Sequence, residues 1–331
     1  VREHVGLYDM TSFGKIRVEG RDAEAVMNRI CGGDMSVPVG RIVYTQFLNS
    51  RGGIEADVTV TRVSETAYLV VTPAATRLAD ETWLRRHAGD ANVVITDVTP
   101  GEGVIAVMGP KARELMALVS PDDWSNQAHP FGFARDVEIG YGLARAHRVS
   151  YVGELGWELY TSSDMTAHVY ETLIEAGAGI GLKHVGLHAM DSLRIEKAFR
   201  HFGHDITCED HVVDAGLSFA VKTDKPDFIG RDAVLQRKET GPKMRMLQFR
   251  LRDPEPLLFH HEPILKDGKF VGYLASGNYG HSLGGAIGLG YVPADIATQT
   301  EGWVIEVAGA RVEAEVSLKP MYDPKSERMR S

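Results

Sequence analysis

The sequence predicts an α+β fold in which antiparallel sheets are accompanied by helices and the last part of the chain is almost entirely strand. Three observations lead to this class. Runs of alternating apolar residues recur between turn residues, which is more typical of antiparallel sheets than of a regular βαβ series. Segments with helical spacing of apolar residues lie between those runs. After about residue 240, strand-like pieces follow one another with hardly a helix among them.

The individual elements are predicted from their local patterns. In chain order they are a strand at 15–20, a helix at 21–31, a strand at 68–73, a helix at 76–88, a strand followed by a helix within 104–120, a helix at 163–177 and a helix at 191–203. Pro110 stands in the first turn of its helix, where the missing N–H does no harm. Gly177 ends the helix that it follows. Beyond the stretch KETGPK, near residue 240, we expect a small β-barrel or jelly-roll-like domain.

The composition narrows the possible functions. A formal charge of −9 and a pI near 5.8 argue against nucleic acid as a partner, because phosphate binding relies on clustered Lys and Arg. No apolar run approaches the roughly 20 residues that span a bilayer, so we expect no membrane insertion. Cys31 and Cys208 follow no metal or redox spacing. We therefore expect free thiols in a reducing compartment, the cytoplasm or, in a eukaryote, the mitochondrial matrix.

Two motifs that suggest familiar sites do not fit their context. The glycine-rich stretch 177–186 follows a helix rather than a strand, so it does not predict a dinucleotide-binding loop, and no other segment offers one. We therefore expect no FAD site in this chain. His201, His204 and His211 have neither the spacing of a helical zinc site nor that of a zinc finger, so we predict no metal.

A charged strand raises the first functional question. Residues 52–60 read GGIEADVTV, and strict alternation divides the strand into two faces. The apolar face would contain Ile54, Ala56, Val58 and Val60, and the polar face would contain Glu55, Asp57 and Thr59. A polar strand face is ordinarily turned to water. The alternative is that it lines a cavity.

Other candidate residues lie in three segments. In YVGELGWEL, Tyr151 offers an aromatic ring and Glu158 a carboxylate, which accepts two parallel N–H bonds and so suits an amidine-like edge such as that of a pterin. Tyr44, just upstream of the Asp57 strand, could supply a stacking face or a hydroxyl. The basic residues of DSLRIEKAFRHFG, among them Arg194 and Arg200, form either a solvated stripe or a site for a carboxylated tail.

The order of these pieces resembles one known family. The segments LYDMTSFGKIRVEGRDA, VYTQFLNSRGGIEADVTV, YVGELGWELY, LHAMDSLRIEKAFRHFGHDIT, DAGLSFAVK, DFIGRDAVL, SGNYG and AIGLGYVP follow one another as in the aminomethyltransferases, the T-protein of the glycine cleavage system. The chain is more similar still to the folate-binding C-terminal region of dimethylglycine and sarcosine dehydrogenases and of dimethylglycine oxidase. The flavin domain of those enzymes has no counterpart in this sequence.

The resemblance implies three domains in a cloverleaf around a central opening that tetrahydrofolate enters. We expect a folate-binding α+β domain formed by 1–50 plus 141–240, a second α+β domain at 51–140 that carries Asp57, and a C-terminal β-barrel domain at 241–331. The family likeness assigns these site residues: Asp57 as the catalytic carboxylate, Tyr44 as its neighbour, and Tyr151 and Glu158 as contacts to the pterin. Met190 replaces a family Arg that contacts folate, so the acidic tail must find Arg194, Arg200 or another group.

The implied function is tetrahydrofolate-dependent one-carbon transfer. A formaldehyde-level carbon from a small methylated amine, such as dimethylglycine or sarcosine, would be captured as 5,10-methylenetetrahydrofolate, with a flavin amine dehydrogenase as a linked domain or subunit. Two alternatives remain open. One is a free-standing folate-dependent aminomethyltransferase or demethylase, and the other is a non-catalytic folate-binding accessory protein.

Overall fold

The computed structural model describes all residues from 1 to 331. The first part of the chain contains eleven strands. They are β1 (Val5–Asp9), β2 (Gly14–Glu19), β3 (Ile42–Leu48), β4 (Ile54–Ser64), β5 (Ala67–Thr72), β6 (Val94–Asp97), β7 (Glu102–Met108), β8 (Ala134–Ile139), β9 (Gly142–His147), β10 (Gly156–Ser162) and β11 (Leu182–His184). The helices are α1 (Ala23–Ile30), α2 (Arg77–Ala88), α3 (Ala112–Val119), α4 (Thr166–Gly177), α5 (Leu187–Glu196), α6 (Arg231–Thr240) and α7 (Glu327–Arg330).

The six remaining strands form a closed barrel in the last part of the chain. They are β12 (Met244–Leu251), β13 (Pro263–Lys266), β14 (Lys269–Gly280), β15 (Gly285–Pro293), β16 (Trp303–Val307) and β17 (Ala310–Ser317). Their order around the barrel is β12-β15-β14-β13-β16-β17, and β12 closes it by pairing with β17. The predicted C-terminal β-barrel is therefore confirmed, and so is the α+β class with antiparallel sheets.

The first of two sheets has five strands in the order β3-β4-β5-β2-β6, and all neighbours are antiparallel. One face packs against α1 and α2, whose apolar residues join Val58, Val60 and Val70 in one core cluster. This burial explains why the apolar positions of those strands alternate.

The second sheet has six strands in the order β11-β1-β7-β10-β9-β8. Only the pair β11 and β1 is parallel. One face packs against α3 and α4 in a core cluster that includes Leu115, Val169, Trp157 and Leu159. Each sheet therefore has its helices on one face only.

The two free faces of the sheets pack against each other. Apolar residues from both sheets form one buried group there, which we call the inter-sheet cluster, and we call the two faces that contribute to it the inner faces. Its buried members are Tyr8, Met10, Leu69, Val71, Val104, Ala106, Met108, Val152, Tyr160 and Met190. Any side chain on an inner face beyond this cluster must point into the space between the sheets.

Helix α5 joins the barrel to this two-sheet unit. Its residue Ile195 packs in one cluster with Met246, Ile287 and Leu289 of the barrel. The Ser192 hydroxyl also donates to the Tyr279 carbonyl oxygen at 2.6 Å. Helix α5 thus contacts both the inter-sheet cluster, through Met190, and the barrel.

The predicted division of the first 240 residues does not follow the sheets. The boundary at 50/51 falls in the hairpin between β3 and β4, and the boundary at 140/141 falls in the hairpin between β8 and β9, although the strands of each hairpin are paired. Both positions lie in short connections between strands that pair within one sheet. We propose instead that the five-stranded and six-stranded sheets define the two units.

Helix α5 also differs from its predicted extent of 191–203. It begins earlier, at Leu187, and ends at Glu196. Ala198 follows in the left-handed region with φ of 52°, and the Phe199 N–H donates to the Arg194 carbonyl oxygen at 3.0 Å. This is a Schellman ending with alanine where glycine is usual, which is why the sequence does not reveal it.

None of the helices combines the length and the apolar composition that a membrane crossing requires. Cys31 is buried and Cys208 is exposed, and neither forms a disulfide.

Candidate active site

A β-bulge determines which side chains of β4 share a face. Leu48 pairs with Ile54 while Phe47 pairs with Ala56, so Glu55 is an extra residue on β4. Ile54 and Leu48 join one core cluster, whereas Ala56 and Phe47 join another on the opposite side of the sheet. The predicted strict alternation is therefore wrong at the start of this strand, because the bulge turns the side chains that precede it to the other face of the sheet.

The bulge separates the two carboxylates of β4. Glu55 accepts a hydrogen bond from the Asn49 side-chain amide at 2.9 Å and lies beside Trp83 and His87 of α2. It is therefore on the helix-covered side of the sheet. From Asp57 onward the predicted alternation holds, since Val58 and Val60 are buried in the core under α1 and α2.

Asp57 lies on the inner face of the five-stranded sheet. Thr59 and Thr61 of β4 pair with Val71 and Leu69 of β5, and both β5 residues belong to the inter-sheet cluster. Paired residues share a face, and so do residues two apart in a strand. Asp57 therefore points into the space between the sheets, which favours the cavity over the open surface.

Glu158 lies on the opposing inner face. On β10 it pairs with Ala106, and Tyr160 pairs with Val104, both members of the inter-sheet cluster. The alternate residue Trp157 points into the core under α3 and α4. Asp57 and Glu158 are thus on the two sheet faces that are turned toward each other.

The Asp57 carboxylate is held by neighbours on the same face. Gln46 is its direct cross-strand partner, and its side-chain amide donates to Oδ1 at 2.8 Å. Burial raises the pKa of Asp57 to about 6, while the hydrogen bond from Gln46, the nearby Tyr44 hydroxyl and the charge of Arg200 act in the opposite direction. The structure therefore brings Tyr44, Asp57 and Arg200 together. A carboxyl group with a pKa near neutrality is suited to proton transfer.

Tyr44 also contacts an exposed aromatic residue. Its ring stacks on Phe219 with centroids 6.1 Å apart, although Phe219 is 70% exposed. Burial raises the pKa of the Tyr44 hydroxyl, and the nearby charge of Asp57 raises it further. The hydroxyl therefore stays protonated and can donate to the carboxylate.

The Glu158 carboxylate keeps one oxygen free of protein partners. The Tyr160 hydroxyl donates to Oε2 at 2.8 Å, while Oε1 has no hydrogen bond. Burial raises the pKa of Glu158 to about 6, and the Tyr160 bond opposes this shift. Glu158 is therefore oriented by one neighbour and has acceptor capacity left for a ligand.

Tyr151 lies near Asp57 and Arg200. Its hydroxyl donates to the Arg200 carbonyl oxygen at 2.9 Å, and its ring stacks on Phe199 with centroids 6.3 Å apart. Burial raises the pKa of Tyr151, and the Asp57 charge adds to the shift. Since the hydroxyl is already bonded to the backbone, the ring is the part left for a ligand.

The structure separates the two predicted tail-binding arginines. Arg194 is only 2% exposed, and all five of its N–H donors have acceptors. These acceptors are Asp191, Asp205, Ser276 and the Phe199 carbonyl oxygen. Arg194 therefore has no donor left for a ligand, which corrects its predicted role.

Arg200 remains available. Its Nε donates to the Ala215 carbonyl oxygen at 3.1 Å and its Nη1 to the Ala198 carbonyl oxygen at 2.5 Å, while Nη2 has no hydrogen bond. The neighbouring Lys197 is fully buried and pairs with Asp323 at 3.2 Å. The basic residues of this segment are thus not a solvated stripe.

The second carboxylate of the YVGELGWEL segment has a different role. Glu154 is 1% exposed and binds Arg2 at 2.9 Å and Arg328 at 2.8 Å. The two ion pairs of Glu154 therefore hold residues near both ends of the chain against the six-stranded sheet.

Sequence reasoning missed the polar atoms that line the inner faces. Several of them are buried and have no protein hydrogen-bond partner. On the five-stranded sheet these are Gln46 Oε1 and Thr61 Oγ1, and on the six-stranded sheet they are the Tyr8 hydroxyl and both ring nitrogens of His147. Buried polar groups are nearly always paired with protein or with water, so these atoms on the two inner faces have capacity to bond water or a polar ligand between the sheets. Whether such an atom is paired depends on strand register and on neighbours from other strands, so no local sequence pattern reveals it.

Two surface grooves lie apart from these residues. A surface groove of about 420 Å³ on the barrel is lined by Arg250, Arg252 and Glu315. A second groove, of about 380 Å³, lies beside Glu55 and Trp83 on the helix-covered side of the five-stranded sheet. No group of three or more His, Cys, Asp or Glu side chains is arranged to hold a metal ion.

Comparison with known protein families covers nearly the whole chain. The family described as GCVT N-terminal domain matches residues 1–225. The family described as glycine cleavage T-protein C-terminal barrel domain matches residues 244–323. The Aminomethyltransferase of Halothermothrix orenii is 32% identical over 97% of this chain and 89% of its own length.

Similar sequences also occur inside longer enzymes. The 4-methylaminobutanoate oxidase (formaldehyde-forming) of Paenarthrobacter nicotinovorans is 44% identical over 99% of this chain and 40% of its own length. The mitochondrial dimethylglycine dehydrogenase of Rattus norvegicus is 31% identical over 97% of this chain and 38% of its own length. The chain thus spans about two-fifths of these relatives.

The fold is also found in a solved structure. The glycine cleavage system aminomethyltransferase T from Bartonella henselae matches with a TM-score of 0.88 and 25% identity over 98% of this chain and 88% of that chain. The three-part arrangement of two sheets and a barrel is therefore that of a known enzyme structure.

Proposed function

Because the chain belongs to the glycine cleavage T-protein family of aminomethyltransferases, which binds tetrahydrofolate, we propose that it transfers a formaldehyde-level carbon to that cofactor. The donor in this proposal is a small methylated amine such as dimethylglycine or sarcosine, and the product is 5,10-methylenetetrahydrofolate. One observation carries the proposal. Asp57 and Glu158 lie on facing inner faces, each with a pKa raised to about 6, among buried polar atoms without protein partners.

The residues present fit the ring of the cofactor. Glu158 Oε1 is a free acceptor, and the Tyr160 bond to Oε2 holds the carboxylate in place. A carboxylate in this position binds the two parallel N–H groups of an amidine-like ring edge. Tyr151 offers its ring face near the Asp57 group. We therefore assign Glu158 and Tyr151 to the pterin end of the pocket.

Asp57 is the residue that we assign to proton transfer. Tetrahydrofolate supplies secondary amine nitrogens that accept a one-carbon unit, and each loses a proton when it forms a bond to carbon. Asp57 can take the proton from the attacking nitrogen and return it to the donor amine, which leaves as its bond to the transferred carbon breaks. Its negative charge stabilises the cation formed in between. The hydrogen bond from the Gln46 amide fixes the orientation of the carboxylate, and the Tyr44 hydroxyl lies close to it.

The surroundings of Asp57 also limit competition by water. The inner face that carries it continues into Leu69 and Val71 of the inter-sheet cluster. Water would attack the same electrophilic carbon, so an apolar wall beside the acid favours transfer over hydrolysis.

Arg200 is the residue that we assign to the acidic tail of folate. Its Nη2 has no hydrogen bond, and its positive charge acts on both Asp57 and Tyr44, where it opposes the rise of their pKa values. Arg194 cannot take this part because its donors are all bonded. Met190, at the position of a family Arg, is buried in the inter-sheet cluster and offers only apolar contact.

A linked flavin enzyme is the source of the carbon in this proposal. The long relatives are named as an oxidase and as dehydrogenases of methylated amines, and this chain spans about two-fifths of their length. We therefore propose that oxidation of the amine takes place in a separate flavin domain or subunit. A free-standing aminomethyltransferase is the alternative, favoured by the match to 89% of the Halothermothrix orenii enzyme.

Calorimetric titration of the protein with tetrahydrofolate tests the proposal. We expect saturable binding at one site, and on addition of formaldehyde we expect methylenetetrahydrofolate to form faster than in the free solution. The matched control is Glu55→Gln, which changes a carboxylate of the same strand on the opposite side of the sheet and should leave both results unchanged.

The possible outcomes separate the hypotheses. Absence of tetrahydrofolate binding would contradict the proposal altogether. Binding without any acceleration would instead support the non-catalytic accessory protein.

A further inference from the structure

His147 has an unusual environment for a buried histidine. It is the last residue of β9 and is 1% exposed, yet neither of its ring nitrogens has a hydrogen-bond partner. Burial lowers its pKa to about 3, so the ring is neutral and has one N–H donor and one acceptor nitrogen. Leaving both desolvated and unpaired costs folding free energy.

The sheet register places His147 beside Glu158. The two residues are direct cross-strand partners and therefore share the inner face of the six-stranded sheet. The His147 ring lies against the Tyr160 ring with centroids 4.2 Å apart, and Tyr160 donates to Glu158. The preceding residue Ala146 points instead into the core under α3 and α4.

We propose that His147 is a further ligand-binding residue, which contacts the pterin ring next to Glu158 and determines with it which ring can bind. This inference rests on the proposed function, since the ligand is the ring that Glu158 binds. The carboxylate can only accept hydrogen bonds, so it satisfies the N–H groups of an amidine-like edge but not a neighbouring ring carbonyl. The neutral imidazole of His147 supplies the missing N–H donor for that carbonyl oxygen.

A second buried histidine provides the comparison. His129 is also 1% exposed, but its Nε2 lies 3.0 Å from the Phe133 carbonyl oxygen and its Nδ1 accepts the Trp157 indole N–H at 3.2 Å. Both nitrogens of His129 are therefore used within the fold. Two histidines of equal burial thus differ in whether their polar atoms are paired, which separates a structural role from a ligand-binding one.

Paired substitutions test the inference. We compare His147→Leu, His129→Leu and His147→Asn, and measure affinity for tetrahydrofolate and for 6-methyltetrahydropterin by calorimetry and the melting temperature without ligand. His147→Leu should weaken binding of both ligands about tenfold, the usual effect of one lost hydrogen bond, without lowering the melting temperature. His129→Leu should lower the melting temperature and leave the affinity of the folded protein unchanged.

The Asn variant keeps a donor and an acceptor and should retain most of the affinity. Unchanged binding of both ligands by His147→Leu, with the native protein binding normally, would overturn the role of His147 and leave the proposed function intact. A lower melting temperature with unchanged affinity would also overturn it, because His147 would then resemble His129. If the native protein binds neither ligand, the proposed function fails and the inference fails with it.

Discussion

Replacing Asp57 by Asn should lower the rate of one-carbon transfer by about 10²-fold or more while tetrahydrofolate affinity stays nearly unchanged. Asn keeps the shape of the side chain and can still bond to Gln46, but it cannot take a proton from an amine. At saturating tetrahydrofolate, where ionisation of Glu158 no longer limits binding, the native enzyme should also become faster as the pH rises through about 6, where Asp57 loses its proton, and the variant should lack this step. Stopped-flow measurement of methylenetetrahydrofolate formation between pH 5 and 8 checks both expectations.

The control for this prediction is again Glu55→Gln. Its carboxylate is two residues from Asp57 but on the helix-covered side of the sheet, so the rate and its pH dependence should match those of the native protein. Loss of folate binding in Asp57→Asn, with unchanged transfer per bound folate, would contradict the assigned role.

Replacing Arg194 by Met should have the largest effect on stability. Asp205 is fully buried and its carboxylate is bonded by Arg194, so the variant leaves an unpaired charge inside the protein. Breaking such a buried pair from one side lowers the free energy of unfolding by about 3–5 kcal/mol. Urea unfolding followed by circular dichroism measures the change. Tetrahydrofolate affinity of the folded variant should change little, because Arg194 has no donor free for a ligand.

Arg200→Met provides the contrast. Arg200 makes two bonds to backbone carbonyl oxygens and has a free Nη2, so its loss should destabilise the fold less and weaken folate binding more. If Arg194→Met bound folate poorly while its unfolding was unchanged, Arg194 would be a ligand-binding residue after all.

Local sequence patterns predicted much of the fold, because in most segments the local pattern agrees with the secondary structure that forms. Apolar alternation located the strands β2 and β5 within a residue, and helical spacing located α2 and α4. The change of texture near residue 240 predicted the barrel, whose first strand begins at Met244. These patterns arise when one face of a strand or helix is buried against a single neighbouring layer, because burial of one face produces a regular spacing of apolar residues.

The misplaced features depend on tertiary structure instead. The bulge at Glu55 exists because Leu48 and Ile54 are buried in a different core from Phe47 and Ala56. The spacing of apolar residues in the sequence does not show which of the two cores each residue enters. The ending of α5 depends on a left-handed alanine, Ala198, where the sequence lacks a helix-stopping glycine.

The candidate site shows the same limit. The residue types at Asp57 and Glu158, together with the family likeness, led to the prediction that these two acids belong to the site. Whether an arginine is free or already paired depends on residues far away in sequence: Arg194 meets Ser276 of the barrel, 82 residues further along the chain. The unpaired ring of His147 is likewise visible only once its neighbours are in place.

The central claim is that Asp57 and Glu158 border one shared hollow that holds the pteridine. A crystal structure of the protein soaked with tetrahydrofolate tests it most directly. The account predicts the ring between the two sheets, with Glu158 Oε1 within hydrogen-bond distance of the ring N–H groups and the reacting amines toward Asp57. A ring bound elsewhere, for example in the barrel groove beside Arg250 and Arg252, with the two acids apart from it, would contradict the account.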